Sequence, residues 1–270
     1  MVTRLLLLLV VLLLPSAPQV HAADSTPDRQ QLMQEASELF REANQVAPSD
    51  ADQARELYEK SLLRYRKLAE AGGNGKLYYN IGNTYFRLHD LGRAILNYRR
   101  AQLYLPDDEN LRQNLAFVES RRVDRIERKE KEKVLETLFF FHYDLPLPVR
   151  VTIVVVAASL FWLLLIGRLL TPLISIWLPA VSLTIVLLFV GSVAFDSFYP
   201  PPSPGVIVAP EVTARKGDGV NFSPSFTEPL HAGTDFTLVE DRGSWRHIEL
   251  ADGRRCWVEA FAIDLVSEGS

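Results

Sequence analysis

The sequence predicts a multidomain membrane protein: an all-α domain of helix–turn–helix units, a two-helix transmembrane hairpin and a small all-β barrel. Three observations predict it. Two long apolar stretches, residues 149–166 and 173–195, stand in mid-chain with only Gly167-Arg168-Leu-Leu-Thr-Pro172 between them. Before them, small and aromatic residues recur at helical spacing; after them come short alternating segments broken by glycine and proline. The chain has 270 residues and a net charge of −4, which implies no general attraction to nucleic acid. Its single cysteine, Cys256, excludes an intrachain disulfide, and a lone Cys with scattered His makes no structural zinc pattern.

At the N-terminus Arg4 precedes an apolar run at residues 5–14, followed by Pro15 and a polar stretch ending Val20-His21-Ala22. This is the layout of a signal peptide over residues 1–22, with Val20 and Ala22 at the cleavage positions. The run falls short of the ~20 residues that a span needs. An uncleaved anchor is the alternative. No cysteine stands directly after the run, which argues against a lipoprotein anchor.

Residues 28–134 are expected to be helical. In residues 75–108 the side chains Tyr78, Ile81, Gly82, Tyr85, Ala94, Tyr98, Ala101 and Pro106 stand at a spacing with a physical meaning. Gly82 and Ala101 are small where two antiparallel helices cross, Tyr85 and Tyr98 fill the space beside them, and Pro106 stops the second helix. These are the signature positions of a tetratricopeptide repeat, a unit that builds concave surfaces for peptides or protein partners. Ala54, Tyr58 and Ser61 repeat part of the pattern at an offset of 40 residues, against a period of about 34. The extra length is assigned to the loop at residues 70–75. A helix around residues 32–46 sets Ala43-Asn44 against Gly82-Asn83. Asp107 or Asp108 caps a following helix in which Leu115-Ala116 match Ile81-Gly82. That helix is expected to continue through the charged run at residues 119–133, with Asp124–Arg128 and Glu127–Lys131 at i, i+4, and to close the stack.

The tetratricopeptide fold lines its groove from the first helix of each repeat. Carried onto this chain, the groove positions are Tyr79, Asn83, Phe86 and Arg87, then Gln113, Phe117 and Arg121, with Asn44 in the degenerate repeat. Asn83 matches the asparagine that clamps a partner's C-terminal carboxylate in some family members, with Arg87 or Arg121 supplying charge. The alternative is that Asn83 is only a common residue there.

Residues 135–148, with an aromatic run and two prolines, read as an interfacial segment. Each apolar stretch is long enough for a hydrocarbon layer of ~30 Å. Arg168 in the short loop keeps that loop in the cytoplasm. Residues 23–148 and 196–270 are then expected in the periplasm, outside a bacterial inner membrane. Trp177 at one end and Phe195, Phe198 and Tyr199 at the other suit an aromatic belt. Neither span has an acid or base at its centre, which points to an anchor rather than an ion path.

Pro200-Pro-Pro-Ser-Pro204 reads as a stiff linker. Residues 205–267 follow a β texture that ends in a hairpin over residues 245–258, with Asp252-Gly253 as its turn. The segment resembles a bacterial SH3-like domain, a family whose modules bind peptides or cell-wall material and are often only structural. Trp245 and Trp257 are surface-competent, with half-buried packing expected of Trp257.

No zinc-protease helix, phosphate loop or nucleophile elbow is present. His89, His142, His231 and His247 read as structural or solvent-facing. The expectation is therefore a protein without enzymatic activity, cofactor or metal. The domain order, together with Leu77-Tyr-Tyr-Asn-Ile-Gly-Asn-Thr-Tyr-Phe86 and Gly92-Arg-Ala-Ile-Leu-Asn-Tyr-Arg-Arg-Ala101, resembles the BatE family of the Bacteroides aerotolerance group. The resemblance implies an inner-membrane adaptor beside von Willebrand A-type membrane proteins and a MoxR-type ATPase, linked to stress tolerance. The alternative is a cell-wall tether or sensor whose SH3-like domain binds peptidoglycan.

Overall fold

The computed structural model describes residues 27–127, 139–171, 173–198 and 203–267. The expected signal peptide lies outside them. The chain divides into two compact units, residues 1–73 and 74–270.

In the first unit, α1 (Pro27–Val46) and α2 (Ala51–Glu70) form a helix pair. Asp50 starts α2 by accepting a hydrogen bond from the Gln53 N–H, one of the donors a helix start leaves open. Ala36 and Ala43 from α1 meet Ala54, Leu57, Tyr58, Tyr65 and Leu68 from α2 in the core. Ser61 is fully buried among them because its hydroxyl donates to the Ala36 carbonyl at 2.7 Å.

In the second unit, α3 (Gly75–Arg87) and α4 (Leu91–Tyr104) make another pair, followed by α5 (Glu109–Glu119). Asn74, Asp90 and Asp108 cap the three starts, so Asp108 rather than Asp107 begins α5. The expected helix crossing is formed. A Cβ added to Gly82 would lie 2.7 Å from the Tyr98 ring, and Tyr98 and Ala101 are buried.

The long closing helix expected through residue 133 is not formed over residues 120–127. Helix α5 ends at Glu119, and residues 122–127 carry no helix. The reason is competition from the C-terminal domain. The Asp124 carboxylate accepts hydrogen bonds from the His231 backbone N–H (2.7 Å), the His231 ring (2.9 Å) and the Thr234 hydroxyl (2.6 Å). Arg122 pairs with Asp235 at 2.6 Å, and Ile126 packs against the β core. An exposed i, i+4 pair contributes only ~0.2–0.5 kcal/mol, too little to hold the segment helical against these bonds. The expected pairs to Arg128 and Lys131 end outside the described residues.

The C-terminal strands are β1 (Ser203–Ile207), β2 (Glu211–Val212), β3 (Leu230–His231), β4 (Asp235–Asp241), β5 (Trp245–Leu250), β6 (Arg255–Glu259) and β7 (Ile263–Leu265). Five of them form an antiparallel sheet in the order β6-β5-β4-β1-β7, while β2 pairs with β3. Strand β1 already begins at Ser203, so the last residues of the expected linker belong to the sheet. The predicted β5–β6 turn is present, with Gly253 at φ +80°.

This domain is not a free appendage. Ala94, Ile95 and Leu96 of α4 and Leu111, Leu115 and Val118 of α5 share one buried cluster with Val206, Val208 and Val266. Arg99 bridges Glu119 and Asp235 at 2.7 and 2.9 Å, and Arg100 donates to Asp264 and to the Leu265 carbonyl. The β-domain thus covers the apolar faces that the last helices would leave open, the task expected of a long helix.

The hairpin consists of a short turn, α6 (Phe140–Tyr143), then α7 (Leu147–Leu170) and α8 (Trp177–Phe198). Both long helices are long and apolar enough to cross a membrane. The second begins at Trp177, later than the expected residue 173, because residues 173–176 form the turn. Arg168 donates to the Ile174 carbonyl there at 2.6 Å. The two helices are joined by a bond from the buried Ser182 hydroxyl to the Ala157 carbonyl at 2.7 Å.

Candidate functional site

The face presented by α3 and α5 carries most of the predicted groove residues. Helical spacing puts Tyr79, Asn83 and Phe86 on one face of α3, and Asn114 and Phe117 on the matching face of α5. Asn114 Nδ2 donates to the Tyr79 hydroxyl at 2.9 Å and to Asn83 Oδ1 at 3.2 Å. The Tyr98 hydroxyl donates to the same Asn83 oxygen at 2.7 Å. Two donors on Oδ1 fix the orientation of the amide, and Asn83 Nδ2 has no hydrogen-bond partner among the described residues. Burial pushes the Tyr98 phenol well above its ordinary value; the neighbouring Tyr79 adds to this and the Arg87 charge opposes it. Tyr98 therefore stays a neutral donor at any physiological pH.

Beside this network the rings of Phe86 and Phe117 meet edge-on at 5.8 Å. The Arg121 guanidinium lies 4.5 Å from the Phe117 ring centre and 5.6 Å from that of Phe86. Phe117 remains half exposed, and Arg87 is exposed. The result is an amide donor, two aromatic rings and cationic side chains on one accessible face, suited to an acceptor-bearing, partly apolar polypeptide segment.

Not every predicted position joins this network. Gln113 is exposed and donates to Glu109 on its own helix. Asn44, in the first unit, accepts from the Tyr58 hydroxyl at 2.9 Å and donates to the Phe40 carbonyl at 2.9 Å, so both ends of its amide are bonded within its own helix pair. The Asn44–Tyr58 bond repeats the Asn83–Tyr98 bond, a likeness the sequence signalled by the shared Ala/Gly-Asn and Ala-Tyr spacing. Asn114 was missed. Its signal was the preceding Leu111 and following Leu115, which fix the buried stripe and leave residue 114 beside it.

Two other clusters were also missed. At the ends of the hairpin helices that lie together, Arg150 is buried and bonds Asp196 at 2.5 Å, the Ser192 hydroxyl at 2.9 Å and the His142 ring at 3.1 Å. Arg150 is near the start of one apolar stretch and Asp196 follows the end of the other, and antiparallel pairing brings such positions together. In the β-domain, Trp257 is only 8% exposed. Its ring stacks on His247 at 4.7 Å and takes the Arg242 guanidinium at 4.7 Å, so it packs as expected and offers no open platform. Among the described residues no group of three His, Cys, Asp or Glu is placed to hold a metal ion.

The fold and site define a class: helix pairs, a membrane-length hairpin and a small antiparallel β-domain, with an aromatic and cationic helix face. Comparison with protein-family models, curated proteins and solved structures returns no match.

Proposed function

We propose that this chain is a non-enzymatic, membrane-anchored adaptor that holds a protein partner on the α3/α5 face. In this reading the helix pairs are tetratricopeptide units, and the β-domain is an SH3-like module that covers their end. The observation that carries it is the Asn83 amide, oriented by Tyr98 and Asn114 with its N–H donors unbonded among the described residues, beside exposed Phe117 and Arg121.

The connections support one location for both domains. Residues 124–126, before the hairpin, are bonded to and packed on the β-domain, whose first strand follows the hairpin after only four residues. Both flanks of the hairpin thus join one compact body, which cannot straddle a bilayer. With Arg168 in the opposite loop, that side is the periplasm. The partners implied by the resemblance are von Willebrand A-type membrane proteins of a stress-tolerance complex. The cell-wall tether has less support, since Trp257 is packed away.

The test is affinity purification of the full-length protein from crosslinked, detergent-solubilised membranes. Phe117→Ala with Arg121→Ala removes exposed groups and leaves the core intact. We expect this variant to lose at least ten-fold of the captured partner. Unchanged capture would remove the α3/α5 face from consideration. Asn83→Ala is the poorer probe, because it also strands the buried Tyr98 hydroxyl, a cost of about 1–3 kcal/mol.

A further inference from the structure

The β-domain has two contrasting ends. One is covered by helices: Val206 and Val208 lie in the shared core, and Asp235 takes Arg99 and Arg122. The other is the β4–β5 turn, and the chain itself fixes where it lies. Ser203, the first residue of β1, is opposite Leu238 of β4. Ser203 follows Phe198, the last residue of α8, by five residues. At ~3.6 Å per residue, Ser203 cannot be more than about 18 Å from the end of the apolar helix. The end of β4 and the turn after it, residues 239–244, are therefore held near the membrane boundary.

The exposed bulky apolar side chains of this domain are Val220 (64%), Phe222 (48%), Val239 (42%) and Phe261 (76%). All four are tied to that segment. Val239 is in it. Val220 and Phe222 sit in the loop that Asp218 fastens to Arg242 at 2.8 Å. Phe261 follows Ala260, whose N–H donates to the Ser244 carbonyl at 2.9 Å. The acids among them are neutralised in place: Asp218 and Glu240 by Arg242, Asp241 by Arg246.

We propose that this end of the β-domain is a membrane-docking surface, with Val220, Phe222, Val239 and Phe261 resting in the interfacial layer of the bilayer that holds the hairpin. The partner is lipid, taken up by apolar contact rather than by headgroup recognition. The inference rests on the reading of α7 and α8 as spans. Docking at this end holds the domain, and the helices packed on its other end, at a fixed tilt to the membrane.

Site-directed labelling tests it. Full-length protein carrying Val220→Cys, Phe261→Cys or, as control, Glu211→Cys is labelled with a fluorescent maleimide and reconstituted into phosphatidylcholine vesicles containing nitroxide-labelled lipid. The native Cys256 does not interfere, because it is buried and its thiol is pushed up to about 12 by that burial. Glu211 is exposed on β2, opposite His231, the residue that bonds Asp124. We expect quenching at positions 220 and 261 at least three-fold stronger than at 211, unchanged between about 0.05 and 1 M salt. Equal quenching at all three positions, in protein that floats with the vesicles, overturns the docking surface and leaves the hairpin reading standing. Protein that does not float with the vesicles overturns both.

Discussion

Asp124 shows how one carboxylate decides the path of a chain segment. In sequence it sits in a run of alternating charge and reads as one more solvated helix residue. In the fold it accepts three hydrogen bonds from His231 and Thr234. Burial alone would raise its carboxyl; the bonds from the Thr234 hydroxyl and from the backbone and ring of His231 outweigh that and hold it below its ordinary value. A depressed carboxylate contributes stability that is present above its unfolded value of ~3.9 and is lost as pH falls through the lower folded value. Asp124→Asn should therefore cost about 1–3 kcal/mol at pH 7. Its melting temperature in detergent should also fall less steeply than that of the parent between about pH 4 and pH 2. Superimposable melting curves at both ends of that range would show that residues 122–127 are held by something else.

For the elements, Gly92 separates local preference from tertiary demand. It lies in the first turn of α4, where alanine would ordinarily favour the helix by ~1 kcal/mol. Here a Cβ would stand 2.7 Å from the Ile207 carbonyl oxygen and 2.9 Å from the Val208 Cα. Both obstacles are backbone and cannot rotate away. Gly92→Ala is expected to destabilise by about 1–3 kcal/mol, read as an earlier unfolding midpoint in urea. A midpoint moved upward would mean that α4 and β1 are not in close contact. The hairpin gives the same lesson. Its two membrane-length helices were legible from apolar length alone, whereas the Arg150–Asp196 pair needed the antiparallel helices to bring the two charges together.

At the scale of the whole second unit, α4 and α5 share one buried cluster with residues of the β-domain. Removing residues 203–270 would take Val206, Val208 and Val266 out of the buried cluster they share with Ile95, Leu111, Leu115 and Val118, at ~1.5–3 kcal/mol of burial for each valine lost. The truncated chain is expected to aggregate or to lose its near-ultraviolet circular dichroism after purification in detergent. A monodisperse product that melts cooperatively would show that the helices are self-sufficient and that the β-domain is a separable module.

The sequence by itself determined what depends on neighbours along the chain. The helix pairs follow from the small–aromatic spacing around Gly82, Tyr98 and Ala101, and the hairpin follows from two apolar runs. The β5–β6 turn follows from Asp252-Gly253. Each is set within a few dozen residues by spacing and backbone preference. The face carrying Tyr79, Asn83, Phe86, Phe117 and Arg121 was legible for the same reason, since helical periodicity fixes which residues share a side. Only the tertiary structure decided that α5 stops at Glu119, that Asp124 and Arg122 turn to the β-domain, and that Asn83 is held by Asn114 as well as Tyr98. Those outcomes depend on groups more than a hundred residues away, or on a second helix, whose bonds outweigh the fraction of a kilocalorie that local charge pairing offers.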